Sequence, residues 1–474
     1  MRRTKIVATL GPATREPEML LELIRAGLDV VRLNFSHGTL DVKRKAIRDV
    51  RAAADAAGRP VAILQDLAGP KIRIGGFADG PVTLRRGDLF TLTARDVPGD
   101  ERVVSVDYKD LPRDVVLGDT LLLADGALCL KVEKIEGPDV VCRVETGGEL
   151  SANKGINLPS GTISAPILDD KDLEDLRFGL AENVDYVALS FVRNASDVLA
   201  CRAAMDEIGT RRPIIAKIEQ REAIANIDEI LRVVDGLMVA RGDLGVEIPL
   251  EHVPGVQKSL IYKANAAGVP VITATQMLRS MVESPRPTRA EVSDVANAIL
   301  DGSDAVMLSE ETAVGQYPVE AVRTMARIAA SAEESFPYAG WNARFPSSAG
   351  LNSDEAVARA ACRMAAEIGA AAIITMTTSG STTRLVAKSR PPQPLLAMTD
   401  NAAVCRRLAL IWGAIPFFTP EGDTLEVMER DALRLALDAG HVAPGDSVVV
   451  TAGLPLHEAG RTNLIKIVTV PARS

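Results

Sequence analysis

The chain has 474 residues, with 54 Lys and Arg against 63 Asp and Glu, for a formal net charge of −9. That balance argues against nucleic acid or an anionic membrane surface as the main partner, so an anionic ligand has to be held by local cations or by a metal. With 47% hydrophobic and 25% charged residues, the make-up is that of a soluble globular protein with roughly two to four domains.

Cys129, Cys142, Cys201, Cys362 and Cys405 are scattered and lack CxxC spacing, which points to buried thiols of a reducing compartment. The opening residues show no apolar signal-peptide core, and no apolar run is long enough to span a bilayer. The expected location is cytoplasmic.

From the N-terminus, short apolar runs recur with helical stretches between them. The strand-like runs are Lys5–Leu10, Val30–Phe35, Val61–Asp66, Tyr186–Phe191, Ile214–Glu219, Leu237–Asp243, Val269–Thr275 and Ala305–Ser309. Amphipathic segments such as Glu18–Ala26, Leu40–Ala57 and Ala290–Leu300 separate them. Continuous apolar strands alternating with helices predict a parallel (β/α)8 barrel.

The alternation breaks once, after Gly69-Pro70. Short β-rich runs take over at Val82–Leu84, Leu89–Ala94, Thr120–Leu123, Cys129–Ile135 and Val140–Val144, parted by glycine turns. This predicts a small β-barrel lid inserted after the third strand, where the loops of such barrels carry their sites. Asp169–Leu180 resumes the barrel as a helix. After a linker at Phe336–Ser353, strands expected at Ala372–Met376, Leu395–Met398, Ile415–Phe418, Ser447–Thr451 and Ile465–Val470 form a second α/β open sheet. The expected domains are 1–70 with 167–338, 71–166, and 339–474.

Polar residues gather at the C-terminal ends of the barrel strands. In Val31–Ser36, Arg32, Asn34 and Ser36 share one strand face. Strand three ends in Asp66, and strand five in Lys217 and Glu219, which as i and i+2 also look the same way. Strand six supplies Arg241 and Asp243, strand seven Thr275, and strand eight Ser309 and Glu310. Polar groups from six strands meeting at one rim are the pattern of an active site. Glu219 and Asp243 end neighbouring strands, and two hard oxygen ligands suit Mg²⁺ or Mn²⁺. Lys217 beside them suits an anionic substrate whose charge rises in the transition state. In Arg241-Gly242-Asp243-Leu244-Gly245, backbone N–H groups opening the next helix can hold a carboxylate or phosphate.

These residues lie in motifs that resemble those of the pyruvate kinase family. They are RLNFSHG at 32–38, GPKIR at 69–73, AKIEQ at 216–220, MVARGDLGVEIP at 238–249, TATQML at 273–278 and PTRAEVSDVANAILDGSDAVMLSEETA at 287–313. The resemblance runs the length of the chain and implies phosphoryl transfer from phosphoenolpyruvate to ADP, giving pyruvate and ATP. It implies that Arg32 clamps the phosphate and that Glu219 and Asp243 hold the divalent metal. Lys217 would stabilise the moving phosphoryl group, and Gly242, Asp243 and Thr275 would hold the substrate carboxylate. Arg73, Lys154 and His37 match nucleotide contacts, Lys154 coming from the lid. Thr275 and Ser309 resemble the hydroxyls that order the water protonating the enolate. The family is usually homotetrameric.

Two departures stand out. Where the family's potassium site usually reads Asp-Thr-Lys-Gly-Pro-Glu, this chain has Asp66-Leu67-Ala68-Gly69-Pro70-Lys71. Leu67 removes a hydroxyl ligand and Lys71 brings a fixed cation, so K⁺ is expected not to be required, with Asn34, Ser36 and Asp66 as vestigial ligands. Ser309-Glu310-Glu311 replaces a commoner pattern with glycine in the middle. In the C-terminal part, Thr377, Thr378, Ser379, Gly380, Ser381 and Thr382 lie between a strand and a helix, which makes a phosphate pocket or an ordinary capping turn. By resemblance this is where phosphorylated allosteric effectors bind, and Leu454–Thr462 differs from the pattern of members activated by fructose 1,6-bisphosphate. Two rival readings keep the architecture: a Mg²⁺-dependent aldolase acting on pyruvate enolates, and a catalytically silent effector-binding homologue.

Overall fold

The computed structural model describes residues 2–159, 164–345, 352–420, 422, 424–455 and 460–472. Eight parallel strands close into a barrel in the order first, eighth, seventh, sixth, fifth, fourth, third, second. They span Lys5–Thr9, Val30–Asn34, Ala62–Asp66, Tyr186–Leu189, Ile214–Ile218, Gly236–Ala240, Val271–Ala274 and Ala305–Leu308. The seam is the pairing of the first strand with the last, Lys5 opposite Ala305 and Ala8 opposite Leu308.

The strands are apolar throughout because both faces are buried. Ile6, Ala8, Val31, Leu33 and Ile63 pack outward beneath the helices. Val7, Val30, Ala62, Leu64, Ala188, Ile215, Met238 and Ile272 fill the barrel interior. Period-two alternation then decides what reaches the rim. Continuing the inward series upward gives Thr9, Arg32 and Asn34, Asp66, Ser190, and Lys217 with Glu219. The surrounding helices begin and end on local signals. Leu40–Ala57 starts at Thr39, whose hydroxyl accepts from Val42 N–H, and stops at Gly58 with φ +61°. Asp170–Ala181 begins with a capping box between Asp169 and Asp172.

The sixth strand is shorter than expected. It ends at Ala240, and Arg241–Glu247 is a helix. Arg241 and Asp243 therefore stand in a helical first turn and not at a strand end. Arg241 leaves the rim altogether, because its guanidinium is engaged by the carbonyls of Ala274 and Thr275 and by Asp294.

The insertion after the third strand forms a six-stranded sheet and a two-stranded one, Gly148–Leu150 with Val82–Leu84. They enclose their own core around Phe90, Leu92, Leu121, Leu130, Val140 and Leu150. The lid touches the barrel through Asn157, whose amide donates to Glu247 Oε1 at 3.0 Å.

The C-terminal part is a five-stranded sheet, parallel except for its last strand, Leu464–Thr469. It is fastened beneath the barrel by Arg390, which is 2% exposed. That guanidinium donates to Asp304 Oδ1 at 2.8 Å, Asn265 Oδ1 at 3.0 Å and Gly302 O at 2.8 Å. It also lies over the rings of Trp341 and Trp412, 5.5 and 4.7 Å from their centroids. The stretch expected as a linker is therefore packed as far as it is described: Phe336 and Trp341 are buried, and Trp341 Nε1 donates to Lys388 O. Residues 346–351 of that stretch lie outside the described residues.

Candidate active site

Lys217 is the centre of the rim. Its ammonium lies 2.9 Å from Glu219 Oε1 and 3.2 Å from Asp66 Oδ1, and donates to Ser190 Oγ at 2.7 Å. Lys217 and Glu219, side by side on one strand face, are in direct contact as an ion pair. Burial disfavours the ammonium, but Asp66 and Glu219 overcome it and push its pKa up to about 12. The two carboxylates thus favour the charged form of Lys217.

The two neighbouring carboxylates behave differently. Burial opposes ionisation of Asp66, yet Lys217 and Arg32 outweigh it and hold the carboxyl below its ordinary range. For Glu219, burial and the nearby Asp243 charge together exceed the pull of Lys217, and its pKa is raised. The contrast follows from company, since Asp66 faces two cations and Glu219 faces one cation and one anion. Glu219 is held in place by Phe191 N–H, which donates to Oε2 at 2.7 Å.

Arg32 donates through Nε to Asp66 Oδ2 at 2.6 Å and through Nη1 to Thr9 Oγ1 at 3.0 Å. Asp66 thus stands between two cations and fixes their spacing. Asn34 and Ser36 are brought together, Ser36 N–H donating to Asn34 Oδ1 at 3.0 Å. Lys43 donates to Asn34 O at 2.7 Å, a contact that nothing in the local pattern signals, because the lysine reaches back from the following helix. The contacts of Lys71 are not with Asn34, Ser36 or Asp66. Its Nζ lies 3.5 Å from Asp243 Oδ1 and 3.5 Å from Asp125 Oδ1 of the lid. Among the described residues no cluster of three or more His, Cys, Asp or Glu is placed to hold a metal. The carboxylates available are the pair Glu219 and Asp243.

On the far side of the rim, Thr275 follows the seventh strand with φ +73°. Its side chain lies against Gly242, where an added Cβ would come 2.7 Å from Thr275 Cγ2. Ser309 is fixed by a residue that rim counting passes over. Glu311, 1% exposed, accepts from Ser309 N–H at 2.7 Å and from Leu278 N–H at 3.0 Å. Glu310, expected at the rim, instead pairs with Arg279 at 2.7 Å on a half-exposed outer face. It opens the short helix Glu310–Ala313, which turns its side chain outward.

The candidate nucleotide contacts are open. Lys154 and His37 are exposed, while Arg73 Nη1 donates to Asn153 O at 3.1 Å. In the C-terminal part, Gly380 (φ +86°) caps the helix Ser381–Lys388, and its N–H donates to Thr377 Oγ1 at 2.9 Å. A small open pocket is lined there by Thr377, Thr378, Ser379, Ser381, Thr382 and Arg461. Of the expected effector loop Leu454–Thr462, residues 456–459 lie outside the described residues. The cysteines are reduced, Cys129 half-buried and the others buried. Among the described residues no helix is long and apolar enough to cross a membrane.

Comparison with known proteins bears on the whole chain. A family model described as the pyruvate kinase barrel domain matches residues 1–322, and one described as the pyruvate kinase alpha/beta domain matches residues 355–468. A pyruvate kinase of Mycobacterium intracellulare is 48% identical over 466 residues, covering 98% of each chain. Pyruvate kinase 2 of Synechocystis sp. is 48% identical over 475 aligned positions, covering 99% of this chain and 80% of that one. A pyruvate kinase of Clostridium acetobutylicum is 44% identical over 472 residues, covering 99% of this chain and all of that one.

Proposed function

The chain belongs to the pyruvate kinase family, and on that premise we propose that the rim around Lys217 transfers the phosphoryl group of phosphoenolpyruvate to ADP. The observation that carries the reading is the row Arg32–Asp66–Lys217, two buried-edge cations tied through one carboxylate. Two cations converging on one carboxylate suit an anionic phosphoryl group, and their charges favour the ionised form of Asp66.

In this reading Arg32 binds the phosphate of phosphoenolpyruvate. Lys217, in its charged form, stabilises the charge spread over the phosphoryl oxygens as the bond to the enolate oxygen breaks and the bond to the ADP β-phosphate oxygen forms. Gly242, Asp243 and Thr275 hold the carboxylate. Arg73, His37 and the lid's Lys154 receive the nucleotide and help exclude water when the lid is closed. Ser309 and Thr275 order the water that protonates the enolate.

Glu219 and Asp243 fit a divalent metal. Burial and mutual repulsion raise the Glu219 pKa, and two hard oxygens with water suit Mg²⁺ or Mn²⁺. An ion held by Glu219 and Asp243 would supply Lewis-acid stabilisation of the charge that develops on the substrate.

Independence of K⁺ is part of the proposal, supported by Leu67 in place of a hydroxyl ligand; Lys71 brings a fixed cation to the rim, though against Asp243 and not among Asn34, Ser36 and Asp66. We assign catalysis to residues 1–70 and 167–338, the lid to 71–166, and effector binding to 339–474, at Thr377–Thr382. A cytoplasmic homotetramer is the expected form. Steady-state pyruvate formation from phosphoenolpyruvate and ADP, with and without Mg²⁺, tests the reading. No turnover with Mg²⁺ present refutes it, and strong stimulation by KCl over tetramethylammonium chloride refutes K⁺ independence.

A further inference from the structure

We infer that Arg241 is a positioning residue for the substrate carboxylate: its guanidinium fixes the backbone conformation that aims Thr275 into the rim. The inference rests on the carboxylate-binding reading of Thr275 given above.

The chain leaves the seventh strand through two successive left-handed residues, Thr275 with φ +73° and Gln276 with φ +56°. Left-handed backbone is uncommon outside glycine, and for a β-branched residue it is an outlier. Such a conformation persists only where the surroundings impose it. Here the imposing group is Arg241. Its Nε donates to Ala274 O at 3.1 Å and its Nη2 to Thr275 O at 2.7 Å.

Those two carbonyls belong to the peptide planes on either side of the Thr275 Cα. With both planes held, φ and ψ of Thr275 are set together. A planar fork with donors at fixed spacing can do this, whereas the single head of a lysine reaches one carbonyl at a time.

The fork is itself immobilised. Nη1 donates to Asp294 Oδ1 at 2.7 Å and to Gln257 Oε1 at 3.2 Å, both on the helices outside the barrel. The side chain is 13% exposed, and its donors are taken by Asp294, Gln257 and the two carbonyls. Arg241 therefore acts through Thr275 and not on the substrate. The next residue completes the arrangement, since Gly242 leaves room for the Thr275 side chain, which any Cβ there would meet at 2.7 Å. Arg241 holds the backbone and Gly242 clears the path.

The test is steady-state kinetics of the full chain carrying Arg241→Lys, Arg241→Ala, Thr275→Ala, Gln276→Gly and the double change Arg241→Ala/Gln276→Gly, with melting temperatures recorded. For Arg241→Lys and Arg241→Ala, kcat/KM for phosphoenolpyruvate is expected to fall on the order of 10²-fold, the loss expected of a displacement near 1 Å. The KM for ADP should stay within about twofold. Glycine adopts left-handed backbone without strain, so the loss caused by Arg241→Ala should shrink in the Gln276→Gly background.

Strictly additive losses overturn the inference. So do equal losses toward phosphoenolpyruvate and ADP, or an unaltered KM for phosphoenolpyruvate in Arg241→Lys. The underlying reading fails separately, if Thr275→Ala leaves phosphoenolpyruvate kinetics unchanged, and the inference falls with it.

Discussion

Replacing Arg390 by methionine tests what fastens the C-terminal sheet beneath the barrel. The substitution keeps much of the volume and removes three hydrogen bonds, leaving Asp304, at 9% side-chain exposure, without its cation. Breaking a buried pair from one side costs about 3–5 kcal/mol, because the remaining charge stays buried and uncompensated. Asp304 Oδ2 keeps its hydrogen bond from Val271 N–H at 2.9 Å, which favours the lower half of that range. Loss of the contacts with the Trp341 and Trp412 rings adds roughly 0.5–2 kcal/mol each.

The assay is urea unfolding followed by tryptophan fluorescence. Trp341 and Trp412 are the chain's 2 tryptophans, and both lie against this guanidinium. With m near 3 kcal/mol/M, the midpoint of the transition they report should fall by about 1.3–2.7 M. Because the chain has several cores, the transition read is that of the interface and not of the whole molecule. Adding Asp304→Asn should recover part of the loss, since it removes the stranded charge. A midpoint shift below about 0.3 M for Arg390→Met, on the same m, would refute the reasoning.

Lys217→Ala should lower kcat on the order of 10²–10³-fold or more while Mg²⁺-dependent binding of phosphoenolpyruvate persists in calorimetry; weaker binding with unchanged turnover at saturation contradicts the role. Glu311→Ala strands the N–H groups of Ser309 and Leu278, so it should cost about 3 kcal/mol in thermal or urea melts, with Glu311→Gln losing less. Asp172 accepts from the N–H groups of Gly69 and Asp169 at the two ends of the lid insertion. Burial, then the Asp169 charge, pushes its pKa from 3.8 up to about 6. A raised folded-state pKa means stability present below the ordinary value and lost as pH rises through about 6. The stability of the parent chain relative to Asp172→Asn should therefore decline across that window, and a flat difference would count against the shift.

The barrel was legible in the sequence because all of its strands are buried on both faces, which leaves unbroken apolar runs that no half-exposed strand shows. The rim was legible for a related reason. Period two carries inward-facing series such as Val30, Arg32 and Asn34 from the filled interior into the open mouth, so polar residues appear in register. The same counting from Tyr186 and Ala188 reaches Ser190, the partner of Lys217, which the sequence reading did not single out. What stayed illegible depends on long-range contacts. Arg241 leaves the rim because the carbonyls of Ala274 and Thr275, more than thirty positions later, claim its guanidinium. The stretch after Phe336 looks like a linker until Arg390 supplies the cation that Trp341 packs against. Glu311 went unremarked because nothing near it in the sequence shows that the N–H groups of Leu278 and Ser309 are aimed at it.

The seam of the barrel has a consequence for synthesis. Its first strand pairs with its last, residue 5 with residue 305, so that edge stays unpaired until nearly two thirds of the chain has left the ribosome. At roughly 5–20 residues per second, the wait is on the order of 15–60 s. The lid's pairings, by contrast, all fall between residues 72 and 157, so its sheets can form while the barrel is still an open arc. Until the seam closes, the open arc presents an apolar strand edge of the kind that pairs with other chains.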